Sequence, residues 1–325
     1  MKAVIPVAGK GTRLRPHTHT IPKPLVNVAG KPILAHIIDA LWAAGVRQMA
    51  FVVDRRGDTI PDFVRQTYPH IHSEFVEQPI ADGLGGAIRR TRDFGAGGPL
   101  LILLGDTILR ADFKAIVERD ANLIGVKPVD DPRRFGVCLV SGDHITGMVE
   151  KPEQPVSNLA IVGVYRFVNS DPLYEALDEN YRADLRTRGE FQLTDALQKM
   201  IDRGIDMRTF PIDGWFDCGT IETLLATNRY LLAEHEQAVQ RPGNLIVPPV
   251  AIHESAVLEG SIIGPNVSIA ARARVEGSII RDSIIHDDAV VEDALLEASV
   301  VGNRATVIGR RARLNVGDST ELDFN

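Results

Sequence analysis

From Ile252 onward an aliphatic side chain returns about every five or six positions, at Ile252, Leu258, Ile263, Ile269, Val275, Ile280, Ile285, Val291, Val301 and Val307, with small or polar residues between them. This spacing predicts a left-handed parallel β-helix. Each aliphatic residue occupies one corner of a triangular coil and stacks on its equivalent in the next, burying a column that no single coil could bury alone. A β-sandwich would instead alternate with period two along each strand, and that alternation is absent. About four coils fit the segment.

The chain before this repeat reads differently. Apolar runs of strand length (AVIPVA, MAFVV, EFV, LLILL) alternate with amphipathic stretches (ILAHIIDALWAAG, DTIPDFVRQTY, GAIRRTRDF). That order predicts an α/β domain with a mostly parallel sheet and crossover helices. In the first amphipathic stretch Ile33, Leu34, Ile37, Ile38 and Leu41 share one helical face, Pro32 suits the first turn, and Gly45 sits where a left-handed terminating residue is wanted. After Leu104 the pieces VCLV and IVGVYRF are more β-like, and the region from there is expected to cover the sheet edge. Three prolines and a glycine interrupt QRPGNLIVPPV. The expected organisation is therefore a first domain at 1–239, a linker at 240–250 and the β-helix at 251–325.

Composition narrows the partners. With 43 acidic against 36 basic residues the formal charge is -7, which gives no reason to expect nucleic acid. Cys138 and Cys218 are far apart and lack metal-ligand spacing, so neither a disulfide framework nor a zinc site is expected. The apolar N-terminal stretch is broken by Pro6 and Gly9, and no apolar run approaches the roughly 20 residues of a spanning helix. The expectation is a cytoplasmic protein without a membrane partner.

The strongest chemical signal lies just after the first strand, in GKGTRLRPHTHTIPKPL from Gly9 to Leu25. Gly9 and Gly11 allow backbone N–H groups to approach phosphate oxygens, and Arg13 and Lys23 add positive charge, as a triphosphate requires. A P-loop needs a glycine upstream of a Gly-Lys-Ser/Thr triplet, and a Rossmann fingerprint needs glycine where Leu14 stands; both fail. Further along, LLILLGD ends an apolar strand in Asp106. A carboxylate at the C-terminal end of a buried parallel strand can bind Mg²⁺, which prefers hard oxygen ligands and shares them with phosphates.

These segments together resemble the nucleoside-diphosphate-sugar pyrophosphorylases, or sugar-1-phosphate nucleotidyltransferases, of the glucose-1-phosphate thymidylyl- and uridylyltransferase kind. The hallmark of that family, a strand followed by Gly-x-Gly-Thr-Arg-Leu-x-Pro and then Pro-Lys-Pro, is matched by Gly9, Gly11, Thr12, Arg13, Leu14, Pro16, Pro22, Lys23 and Pro24. Many members carry two consecutive glycines where this chain has Ala8 before Gly9, as in the bacterial UTP-glucose-1-phosphate branch. The resemblance implies a Rossmann-like mixed sheet of GT-A-like type. It also implies nucleotide contacts at Ala8, Gly9, Gly11 and Thr12, and base reading by Gln78 and Gly83 in EQPIADGLGGAI, which favours uracil or thymine. Gly136 and Glu150, in FGV and EKP, would hold sugar hydroxyls. Lys151 would contact the sugar phosphate, and Asp217 in GWFDCGT would be the second Mg²⁺ ligand beside Asp106.

The reaction so implied joins a nucleoside triphosphate and a sugar 1-phosphate, with glucose as the default, by in-line attack on the α-phosphorus and loss of pyrophosphate. Mg²⁺, Arg13, Lys23 and Lys151 would supply charge neutralisation. Two other readings stand beside it: a non-catalytic sensor of nucleotide sugars, and a bifunctional enzyme whose β-helix, offering only His253 and His286, acetylates a sugar. The β-helix is instead expected to support a homo-oligomer. Plainer roles are expected for His17 and His19 as loop residues, Arg89–Arg92 as the wet face of a helix, Trp215 and Phe216 as packing, Cys218 as a buried small residue, and Thr194 as a helix cap.

Overall fold

The computed structural model describes residues 1–54, 59–234 and 240–309. The expected domain end at 239 and the tail from 310 to 325 lie outside the described residues. The chain forms two compact units: Met1–Val26 with Lys31–Leu224, and Asn27–Gly30 with the chain from Leu225 on.

In the first unit, strands β1 (Lys2–Pro6), β2 (Gln48–Val53), β3 (His72–Glu77) and β4 (Leu100–Leu103) are parallel, paired in the order β3-β2-β1-β4. β1, β2 and β4 read as near-continuous apolar runs because they lie inside the sheet, whereas the edge strand β3 (HSEFVE) is polar and only partly buried. In α1 (Ile33–Ala43) the predicted face of Ile33, Leu34, Ile37, Ile38 and Leu41 is wholly buried, and Gly45 ends it at φ +90°. Helices α2 (Thr59–Thr67), α3 (Leu84–Arg89) and α4 (Arg92–Gly95) complete this half.

Beyond β4 the chain adds the ribbon strand β5 (Thr107–Arg110), helix α5 (Phe113–Glu118), and strands β6 (Leu123–Pro128), β7 (Gly136–Ser141), β8 (His144–Glu150) and β9 (Leu159–Phe167). Strand β10 (Arg208–Pro211) and β11 (Gly214–Asp217) follow helices α6 (Asp171–Arg182) and α7 (Leu193–Asp202). The expectation that this region covers the sheet edge is corrected here. β9 pairs antiparallel with β4 and with β6, so the sheet continues through β9-β6-β10-β8-β7 to nine strands. Nothing local in IVGVYRF announces that pairing, because its partners lie dozens of residues away. Helices α6 and α7 pack Leu173, Tyr174, Leu177, Leu193, Leu197 and Met200 into one core with Val4, Val52, Ile102 and Ile124.

In the second unit three parallel sheets of four strands each form the coil stack typical of a left-handed β-helix. Corner serines set its pitch: Ser278 N–H donates to Ser261 Oγ 17 residues back, and Ala294 N–H to Ser278 Oγ 16 back. Ile263, Ile269, Val275, Ile280, Ile285 and Val291 are fully buried inside, with Ile252, Leu258 and Val307 packed against them. The segment expected as a linker supplies Leu245–Ile246, which begins one of the sheets by pairing with Ile262–Ile263. Outward on that sheet, Leu245, Ile262, Ile279 and Leu295 stand in register as an aliphatic column.

Helix α8 (Ile221–Ala233) runs through the division at Leu224/Leu225 and gives the second unit the buried Asn228. Its Oδ1 accepts from Ala29 N–H (2.9 Å) and Ser268 Oγ (2.6 Å), and its Nδ2 donates to the Asn266 carbonyl (3.1 Å). Asn228→Ala therefore orphans the buried Ser268 hydroxyl and two half-buried backbone groups. It is expected to destabilise this unit by about 2 kcal/mol or more, read from the denaturant midpoint.

Candidate active site

The cavity lies where β1 and β4 end. Gly105 N–H donates to the Pro6 carbonyl and Val7 N–H to that of Val52, so neighbouring strand ends converge at the edge where open α/β sheets bind ligands. Of the residues expected in the site, Ala8, Gly9, Gly11, Thr12, Arg13, Lys23, Gln78, Gly83 and Asp106 line one cavity of about 450 Å³. Asp217, Gly136, Glu150 and Lys151 do not line it.

Gly11 is dictated by the protein itself. It sits at φ +58°, and a Cβ there would lie 2.9 Å from Cβ of Lys23. At Gly9, by contrast, a Cβ would meet no protein atom within 4 Å. Gly83 is the most constrained: φ is +104° and a Cβ would lie 2.5 Å from the Phe191 carbonyl oxygen. Gly85 N–H donates to that same carbonyl, and Phe191 N–H to the carbonyl of Asp82. The glycines of DGLGG thus let the 187–192 segment lie against the cavity wall, beyond what a simple strand-to-helix turn needs.

Lys23 is buried, and its ammonium lies 2.9 Å from Asp106 Oδ2 and 3.6 Å from Asp217 Oδ1. β11 pairs antiparallel with β5, placing Asp217 opposite Thr107 and so beside Asp106. Arg13 approaches Asp217 from the solvent side at 3.9 Å. Two carboxylates converging on one cation present the hard oxygen pair with which Mg²⁺ binds alongside phosphate oxygens, so the residues fit that ion. Among the described residues no set of three or more His, Cys, Asp or Glu side chains forms a closed metal cage.

A second cluster holds the remaining residues. Glu150 Oε2 accepts from Thr194 Oγ1 at 2.7 Å, and its Oε1 lies 3.4 Å from Lys151 Nζ. A Cβ on Gly136 would lie 2.9 Å from Glu150 Oε2, so glycine there keeps the carboxylate accessible. Lys151 takes φ +43°, a left-handed conformation rare for a residue with a Cβ. The 187–192 segment touches both clusters: Arg188 donates to the Lys151 carbonyl at 2.8 Å, while Glu190 lines the cavity. Burial raises the neighbouring Asp195 carboxyl, with Glu150 adding to the rise against a hydrogen bond from Thr187.

Several expectations change. Thr194 is not the cap of α7, where Gln192 stands; its hydroxyl serves Glu150. Arg89–Arg92 are not a wet face: Arg89 and Arg92 pair with Asp178, Arg90 grips Asp82, and Thr91 is buried. Glu190 and Gly219, which line the cavity, were not singled out by the sequence. Gly219 has a readable reason, since a Cβ would lie 2.8 Å from both Arg13 Nη2 and Asp217 Oδ1. Trp215 packs edge-on against Phe135 at 4.8 Å, Cys218 is buried, and burial lowers the His17 imidazole. In the β-helix His286 is buried, and His253 Nδ1 lies 2.8 Å from Ser255 Oγ.

With this geometry in place, residues 2–234 match the family model described as nucleotidyl transferase, and the chain belongs to that family. It is similar to a glucose-1-phosphate thymidylyltransferase of Streptomyces griseus, 35% identical over 96% of this chain and 90% of that one. It also resembles a UTP–glucose-1-phosphate uridylyltransferase, AglF, of Haloferax volcanii, 33% identical over 74% of this chain and all of that one (100%). A crystal structure of UDP-glucose pyrophosphorylase with UDP-glucose covers 72% of this chain and 99% of its own, with a TM-score of 0.63 and 26% identity. Among the described residues no helix is long and apolar enough to cross a membrane.

Replacing Gly83 by alanine forces a left-handed φ and a backbone clash at once. The strained φ alone is expected to cost about 1–3 kcal/mol, and the variant should melt well below wild type in thermal unfolding.

Proposed function

We propose that this chain is a sugar-1-phosphate nucleotidyltransferase that joins UTP or dTTP to glucose 1-phosphate and releases pyrophosphate. The observation that carries this reading is the gathering of a glycine-rich loop, a buried ammonium and a carboxylate pair at the C-terminal edge of the sheet. The open space at Gly9 gives room for phosphate oxygens to approach the backbone N–H groups. Gln78 and Gly83 form the wall for the base, and Gly136 with Glu150 receives the sugar hydroxyls.

The sugar phosphate is already an anion, so no strong general base is needed. One of its oxygens forms the new bond to the α-phosphorus as the bond to the β-phosphate oxygen breaks and pyrophosphate leaves. Lys151 draws the attacking phosphate in, and Lys23 and Arg13 meet the charge on the triphosphate. Thr194 holds Glu150 in one orientation for the sugar. Mg²⁺ held by Asp106 and Asp217 would neutralise phosphate charge when bound.

Pyrophosphate release measured with glucose 1-phosphate, Mg²⁺ and UTP, dTTP, ATP or GTP tests the reading. Turnover is expected with UTP or dTTP, and turnover with purines alone would overturn the base assignment. Asp106→Ala should lower kcat at least about a hundredfold while circular dichroism is unchanged. Full activity in that variant would contradict the metal assignment.

A further inference from the structure

Asp82 stands behind the cavity wall. It is buried, and the Arg90 guanidinium grips it with two bonds, Nη1 to Oδ1 at 3.0 Å and Nη2 to Oδ2 at 2.9 Å. Arg90 is itself tied down by a bond from Nη1 to the Gly86 carbonyl at 2.6 Å. The start of α3 closes on the carboxylate so tightly that a Cβ on Gly86 would lie 2.2 Å from Asp82 Oδ1. Burial alone would raise the Asp82 carboxyl, but hydrogen bonds from Arg90 and Gln78 outweigh it and hold the group below the usual carboxylate range, so it remains an acceptor.

In front of it, Gln78 lines the cavity and donates from Nε2 to Asp82 Oδ1 at 2.9 Å and to the Gly83 carbonyl at 3.1 Å. An amide nitrogen has two N–H donors, and both are used. Turned over, the amide would set Oε1 against two oxygens. Only the carbonyl oxygen of Gln78 is left to address a ligand.

We propose that the Asp82–Arg90 pair is a positioning device that selects uracil or thymine over cytosine by locking Gln78 with its oxygen toward the base. The proposal rests on the reading of this cavity as a nucleotide site. Uracil and thymine present an N3–H donor flanked by two carbonyls, whereas cytosine presents a lone pair at N3. A fixed acceptor bonds the first and repels the second, and a buried polar group left unpaired makes such discrimination large. Asp82 itself does not reach the ligand; it acts through Gln78.

The test is steady-state pyrophosphate release with UTP, dTTP and CTP for wild type, Asp82→Asn and Arg90→Lys. Asp82→Asn is isosteric and can turn an N–H toward Gln78, so that one of the two oxygens holding the Gln78 amide becomes a donor and only the Gly83 carbonyl still opposes its turning. The preference for UTP or dTTP over CTP in kcat/KM is expected to fall at least about tenfold, through KM, with kcat on UTP changed only a few-fold. Arg90→Lys keeps the carboxylate but loosens it, and should shift the preference in the same direction by less. An unchanged preference in folded Asp82→Asn, or an equal loss of kcat with all three nucleotides, would overturn the proposal. If Asp82→Asn does not fold, an unchanged preference in Arg90→Lys does so. Wild type that used only purine triphosphates would overturn the underlying base reading instead.

Discussion

A buried ammonium between two carboxylates organises the catalytic unit. Lys23 has almost no contact with water, and an isolated charge there would be prohibitively costly. Asp106 and Asp217 make it tolerable, and it in turn allows two carboxylates to sit close together. The three residues come from distant parts of the chain: the loop after β1, the end of β4, and the ribbon that pairs β11 with β5. The sheet topology therefore serves this cluster directly, since shifting the β5–β11 register by one residue would turn Asp217 to the other face.

Around that cluster the protein uses missing side chains as much as present ones. Gly11 lets the loop after β1 fold onto Lys23, Gly219 leaves room for Arg13 beside Asp217, and Gly83 and Gly85 admit the Phe191 backbone. The last of these matters most for connecting the site. The 187–192 segment, pinned to the DGLGG turn at one end and to the Lys151 carbonyl at the other, couples the wall at Gln78 to the Glu150–Lys151 pair.

What could be read from the sequence follows the range of the interactions involved. The face of α1 and the aliphatic column of the β-helix are set by local periodicity, and they appear where the spacing puts them. Asp106 is visible as the polar end of an apolar strand, whereas Asp217 enters only through family resemblance, because its partner across the ribbon, Thr107, is more than a hundred residues away. The same non-locality hid the true place of β9, which joins β4 to β6 in mid-sheet. Arg89 and Arg92 looked like a solvated face because Asp178 arrives on α6, and Thr194 looked like a cap because Glu150 arrives on β8.

The central claim is that the Lys23 ammonium belongs to the chemistry and does more than hold the carboxylates in place. Steady-state kinetics of Lys23→Met against wild type, with UTP and glucose 1-phosphate, tests it most directly, with circular dichroism establishing that the variant folds. A charge that acts chiefly on the transition state predicts a loss of kcat of about a hundredfold or more with KM for both substrates changed only a few-fold. A folded Lys23→Met enzyme that kept wild-type kcat would contradict the account.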